Sequence, residues 1–147
     1  MRLLLILSAA GLFAAGPPRA ISTRSQPKTK PPIVLEKHVK RAAAVKFDAR
    51  LFELSRCATP CRIEFRLLDG KKAIVTFAPP TSDARSVSWS GRVEGSKFGT
   101  GTIVIYDKVV SGSIRLDDGR VFDLITAGAD IWMREIDTAV LDRETRP

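Results

Sequence analysis

Between Ser88 and Asp137 the chain reads SWSGRVEGSKFGTGTIVIYDKVVSGSIRLDDGRVFDLITAGADIWMREID, and no other stretch restricts its folding so tightly. Five runs, Val87–Glu94, Thr102–Tyr106, Val109–Leu116, Val121–Ile125 and Ile131–Ile136, are each of strand length and rich in Val, Ile, Phe, Trp and Tyr. Turn signals built from Gly, Asp, Ser and Lys separate them. Connections this short join only neighbouring antiparallel strands, because a parallel pair needs a crossover of about a dozen residues or more. An antiparallel meander is therefore expected here. The stretch contains no reacting group.

Upstream the same period of two returns. Val45, Phe47 and Ala49 alternate with Lys46, Asp48 and Arg50, and the adjacent Leu51 and Phe52 predict a bulge or bend. Arg62–Leu67 places Ile63, Phe65 and Leu67 on one face, and the Asp69-Gly70 pair predicts a hairpin with Lys72–Phe77. Pro79-Pro80 ends that pairing. Ile103-Val104-Ile105-Tyr106 is apolar on both faces, which predicts a second layer above this strand. About eight short strands at this spacing predict an all-β domain over residues 45–141, a small sandwich or partly closed barrel. Phe47, Phe52, Phe65, Phe77, Trp89, Phe122 and Trp132 are expected to fill its core. Residues 142–147 are charged and expected to fray.

The two ends of the chain carry its address and its charge. Met1-Arg2 followed by LLLILSAAGLFAA has the positive start and short apolar core of a secretory signal, so residues 1–16 are read as a signal peptide and the protein as secreted or periplasmic. The formal net charge of +8 arises within residues 1–46, which hold nine Lys/Arg and one Glu; the remainder is neutral. Residues 17–44 are Pro-rich and basic, and are expected to form a flexible linker. Through Lys28, Lys30, Lys37, Lys40 and Arg41 this tail could hold the domain to an anionic envelope polymer or lipid surface. Export argues against nucleic acid as a partner.

Candidate chemistry is sparse. Cys57 and Cys61 flank Ala-Thr-Pro in an oxidising compartment and are expected to form a disulfide that staples a turn. His38, the only histidine, is expected to be a solvated tail residue. HExxH, G-x-S-x-G and phosphate-cradling motifs do not occur in the sequence. Asp69, Asp117 and Asp118 fall where short turns favour aspartate for local hydrogen bonds. The sequence thus predicts no enzyme, no cofactor and no metal ligand set.

One ordered pattern stands above this background. Trp89-Ser90-Gly91-Arg92-Val93, Val109-Val110-Ser111-Gly112-Ser113-Ile114-Arg115, Gly119-Arg120-Val121-Phe122-Asp123-Leu124 and Arg134-Glu135-Ile136-Asp137 follow one another. Together they resemble the N-terminal prodomain of secreted bacterial metzincin-type, reprolysin-like zinc metalloproteases, over roughly Val45 to Asp137. The resemblance implies a β-rich domain that assists folding of the protease and holds it inactive. The chain ends at Pro147 without the HExxHxxGxxH helix, and no cysteine follows the meander to act as a switch, which leaves a stand-alone relative or a truncated reading frame as the alternatives; for a stand-alone relative, a zinc metalloprotease partner supplied in trans is expected. The expected contact surface is Ser90, Arg92, Glu94 and Lys97, with strand addition around Trp89–Gly101 as the expected mode.

Overall fold

Period-two alternation runs through most of the chain, and strands result wherever it does. The computed structural model describes residues 16–24, 36–53 and 60–144. Its strands are β1 (Arg19–Arg24), β2 (Val39–Phe47), β3 (Cys61–Arg66), β4 (Lys72–Phe77), β5 (Thr81–Ser82), β6 (Ser86–Val93), β7 (Thr100–Tyr106), β8 (Val109–Arg115), β9 (Val121–Ala127) and β10 (Asp130–Ile136). A single 3-10 turn, Ala49–Phe52, follows β2, and helix α1 (Thr138–Glu144) follows β10. The expected hairpin and meander are present. Two of the strands, β1 and the first part of β2, lie in the stretch read as a linker.

The reason is that β2 needs no apolar stripe of its own to be held. Val39–Val45 pairs along β10 from Ile136 to Ile131, and Lys40 and Arg41 reach Asp137 and Glu135 with their charged ends. Prolines and cations upstream gave residues 17–44 the composition of a tether, but Ala20 and Ile21 are each 1% exposed in the core. The adjacent Leu51 and Phe52 mark the 3-10 turn, capped by the Asp48 carboxylate, instead of a bulge within a strand. Thr138–Glu144 is helical, so the expected frayed end at residues 142–147 begins inside a helix; residues 145–147 and, of the expected signal peptide 1–16, residues 1–15 lie outside the described residues.

Around the sheet the order is β4-β3-β1-β2-β10-β9-β8-β7-β6, and β4 also pairs with β6, so nine strands close into a barrel with β5 attached outside β6. Up-and-down alternation cannot be completed around a ring of odd number. One neighbouring pair must run parallel, and that pair is β1 with β3. The closing seam is short: Val75 faces Val93, Thr76 faces Arg92 and Phe77 faces Gly91. Outside it, Arg62 of β3 and Thr76 of β4 both donate to the Glu94 carboxylate, tying β3 and β4 to the end of β6.

Side chains fill the barrel. Trp89, Phe65, Phe77, Phe122, Ile63, Ile103 and Met133 are essentially inaccessible. Phe52 closes one end from the 3-10 turn, with its ring centroid 5.5 Å from Phe47, 5.6 Å from Phe77 and 6.1 Å from Trp89. Large aromatics bury on the order of 150–250 Å² each, and the stacked contact with Phe47 and the edge-on contacts with Phe77 and Trp89 add to that burial. Trp132 departs from expectation. It is buried, but it alternates with Met133 of the interior and sits opposite Ala44 and Ile125, which places it on the outer side of the wall. No second layer among the described strands covers β7: Ile103 is buried while Val104 is half-buried and Tyr106 exposed.

Candidate functional site

The four residues expected to form a surface gather at one end of β6. Ser90 and Arg92 are exposed on the outer face, with Arg92 between Thr76 and Thr100 of the neighbouring strands. Glu94 is occupied. Arg62 donates Nε to Oε1 at 2.5 Å and Nη2 to Oε2 at 2.8 Å, and Thr76 Oγ1 donates to Oε1 at 2.7 Å. The Arg62 and Thr76 hydrogen bonds hold the Glu94 carboxyl at a pKa of about 2, below the ordinary 4.5. Because the folded value is the lower one, this group contributes stability above the unfolded pKa and loses it as pH falls through about 2. Unfolding melts should therefore show Glu94→Gln with a flatter stability profile than wild type between about pH 4.5 and 2. Identical slopes in both proteins would remove this ion pair from the acid response.

Beyond Glu94 the β6–β7 turn carries a residue the sequence reading passed over. Phe98 is 69% exposed, the most exposed of the large apolar side chains described. Its turn is fixed from outside. Asp117, in the β8–β9 turn, accepts from Ser96 Oγ at 2.6 Å, from Phe98 N at 2.7 Å and from Lys97 N at 2.8 Å. Ser96 Oγ in turn accepts from Gly99 N at 2.6 Å. The Ser96 hydrogen bond, followed by the backbone donors of Lys97 and Phe98, lowers the Asp117 pKa, so the clamp is ionised at neutral pH. Gly95 supplies the positive φ of +71° that lets the chain reverse. Lys97 Nζ lies 5.1 Å from the Phe98 ring centroid, which leaves a cation beside an aromatic tip.

An available sequence signal was the aromatic in Ser96-Lys97-Phe98-Gly99, between two turn glycines, where no strand exists to bury it. Asp117 left none. An aspartate in a short turn reads as a local hydrogen-bonding residue, and only the barrel brings its turn against the β6–β7 turn.

The other carboxylates at this end are neutralised too. Arg120 binds both Asp69 and Asp118. Burial works to raise the Asp69 pKa, but the Arg120 hydrogen bond and the Lys71 backbone donor outweigh it and the net shift is downward. The Arg120 backbone and side-chain donors lower Asp118. Both are held ionised at neutral pH, with no proton to give, and a lowered pKa makes each a weaker proton acceptor than an ordinary carboxylate. Among the described residues, no group of three or more His, Cys, Asp or Glu could hold a metal ion.

Other expected residues divide. His38 is partly buried and sits 2.8 Å from Glu36 Oε2, while its carbonyl accepts from Asp137 N, so it is part of the folded body and not a solvated tail residue. Lys37 is exposed. Of the expected tail contacts, Lys40 and Arg41 are strand residues paired with acids, and Lys28 and Lys30 lie outside the described residues. β6 and β7 are each hydrogen-bonded on both sides, so strand addition at Trp89–Gly101 has no edge to use. Cys61 opens β3 in a buried position and Cys57 lies outside the described residues; none of the described cysteines is free. Intact mass of the purified protein is expected to fall about two hydrogens below the reduced value. A fully reduced mass would contradict the pairing.

No family model and no curated protein matches the chain. Among solved structures, a chain from a chaperone–substrate complex superposes with a TM-score of 0.55 at 14% identity, over 75% of this chain and 84% of that one. The similarity is one of fold.

Proposed function

We propose that the protein is an exported, non-enzymatic binding module that works through the β6–β7 tip, and that its partner is a secreted zinc metalloprotease, which it restrains or helps to fold. The observation that carries this reading is Phe98, held 69% exposed on a turn that three hydrogen bonds to Asp117 keep in one shape. Monomeric proteins gain nothing from fixing an aromatic side chain in water, whereas a pre-shaped aromatic anchor lowers the ordering cost of association. Lys97 beside it and Arg92 exposed near the end of β6 fit a partner pocket with an acidic rim.

The choice of partner draws on the prodomain resemblance. Its four segments fall on β6, on β8, on the turn entering β9, and on the end of β10, so they share one continuous stretch of barrel wall. A barrel of similar fold occurs in a solved complex between a chaperone and its substrate. Purified full-length protein added to the zinc-dependent proteases secreted by the producing cell should lower their activity saturably or raise their refolding yield. Unchanged activity and unchanged yield, with no complex on gel filtration, would refute the reading.

A further inference from the structure

We propose that a depression at the opposite end of the barrel, between the start of β1 and the end of β2, binds an oxyanion carried on an apolar body, such as a phosphorylated or carboxylated ring compound. This goes beyond the β6–β7 tip and stands independently of it. The depression has a volume of about 430 Å³ and is lined by Arg19, Lys46, Phe47, Asp48 and Arg50 together with two alanines. That volume is within the range of small-molecule sites, roughly 300–1,000 Å³.

Its charge is unbalanced. The three cations face one carboxylate, and that carboxylate is already taken: Arg50 donates its backbone N and Nε to Asp48 Oδ1 and its Nη2 to Oδ2. Arg19 Nε stands 2.9 Å from Glu64 Oε1 without the alignment of a hydrogen bond, and Lys72 approaches the same carboxylate at 3.7 Å. Arg19 therefore keeps donors to spare. Lys46 is exposed and has no ionic partner among the described residues. An anion entering the depression would meet the Lys46 ammonium and the unused N–H groups of two guanidiniums.

The walls are built to hold that arrangement. Asp48 N donates to Ala20 O at 2.9 Å, fastening the β1 side to the β2 side. Asp48 also fixes the guanidinium of Arg50. Phe47 is half-buried and stacks on Phe52 with ring planes 10° apart, so its ring is locked where an apolar ligand body can rest. A bare inorganic anion would use only half of this surface.

The test follows backbone amide signals of the isotopically labelled full chain while phenyl phosphate, inorganic phosphate or phenol is added. Phenyl phosphate should shift Ala20 and Lys46–Arg50 at about millimolar concentration, about fivefold more tightly than inorganic phosphate, while phenol leaves them unmoved. Lys46→Ala should weaken the effect about fivefold or more and Lys46→Arg should restore it; a rise in salt should weaken it as well. Displacement by poly(glycerol phosphate) would assign the site to an anionic polymer, and failure to displace would assign it to a free small anion. Absence of shifts in this region, equal affinity for phenol, or an unaffected Lys46→Ala protein would overturn the proposal.

Discussion

Replacing Gly91 with alanine is expected to open the barrel. A Cβ built on Gly91 would stand 2.3 Å from the carbonyl oxygen of Thr76 and 2.8 Å from Phe77 Cα. Both are backbone atoms of β4, so no side-chain rotation relieves the clash. Strand β6 must back away from β4, and the seam between them has only three facing pairs to lose. Overpacking a core usually costs about 1–3 kcal/mol. Here the displaced element is the closure itself, and the expected loss is about 3 kcal/mol or more, a fall in melting temperature of about 10–20 °C. Circular dichroism melts measure it directly. A variant that melts within about 2 °C of wild type would show that the seam does not hold the barrel shut.

Phe98→Ala should do the reverse, leaving the fold alone and removing the function. Exposed substitutions of this type change stability by less than about 0.5 kcal/mol, whereas loss of an aromatic anchor at an interface costs about 2 kcal/mol or more, about 30-fold in affinity. Asp117→Ala should weaken binding about tenfold with Phe98 still in place, because the turn then samples many shapes and must be ordered on association. Affinity for the proposed zinc-protease partner, measured by surface plasmon resonance on all three proteins, checks both expectations. Equal affinities across the set would detach the tip from binding. A strong loss in Phe98→Ala with none in Asp117→Ala would keep the anchor and discard the clamp.

The strand pattern was legible because alternation is written residue by residue. Ile63, Phe65, Val75, Phe77, Trp89, Ile103, Ile114, Phe122 and Leu124 all occupy positions that a period of two assigns to one face, and all are buried. What could not be read was anything set by partners distant in sequence. β2 is a strand because β10 lies beside it, and its own composition of Lys, Arg and Ala argued for a linker. Trp132 was assigned to the interior as an aromatic in an alternating apolar run, although its neighbour Met133 occupies the inward position. Closure was equally hidden, since it depends on three residue pairs joining β4 to β6.

The candidate site shows the same division. Arg92 and Lys97 were visible as exposed cations after Trp89, but Glu94 was counted as available when Arg62 and Thr76 already hold it. Arg62 precedes Glu94 by 32 positions, and only a closed wall brings them together. Phe98 needed a different question of the sequence: which aromatic has no strand to hide in.

Amide chemical-shift mapping on the labelled full chain, with a catalytically inert zinc protease added to saturation, tests the tip most directly. Shifts confined to residues 94–99, Asp117 and the exposed ends of β6 and β8 are predicted. A bound complex that leaves those signals in place while moving the opposite end of the barrel would contradict the assignment.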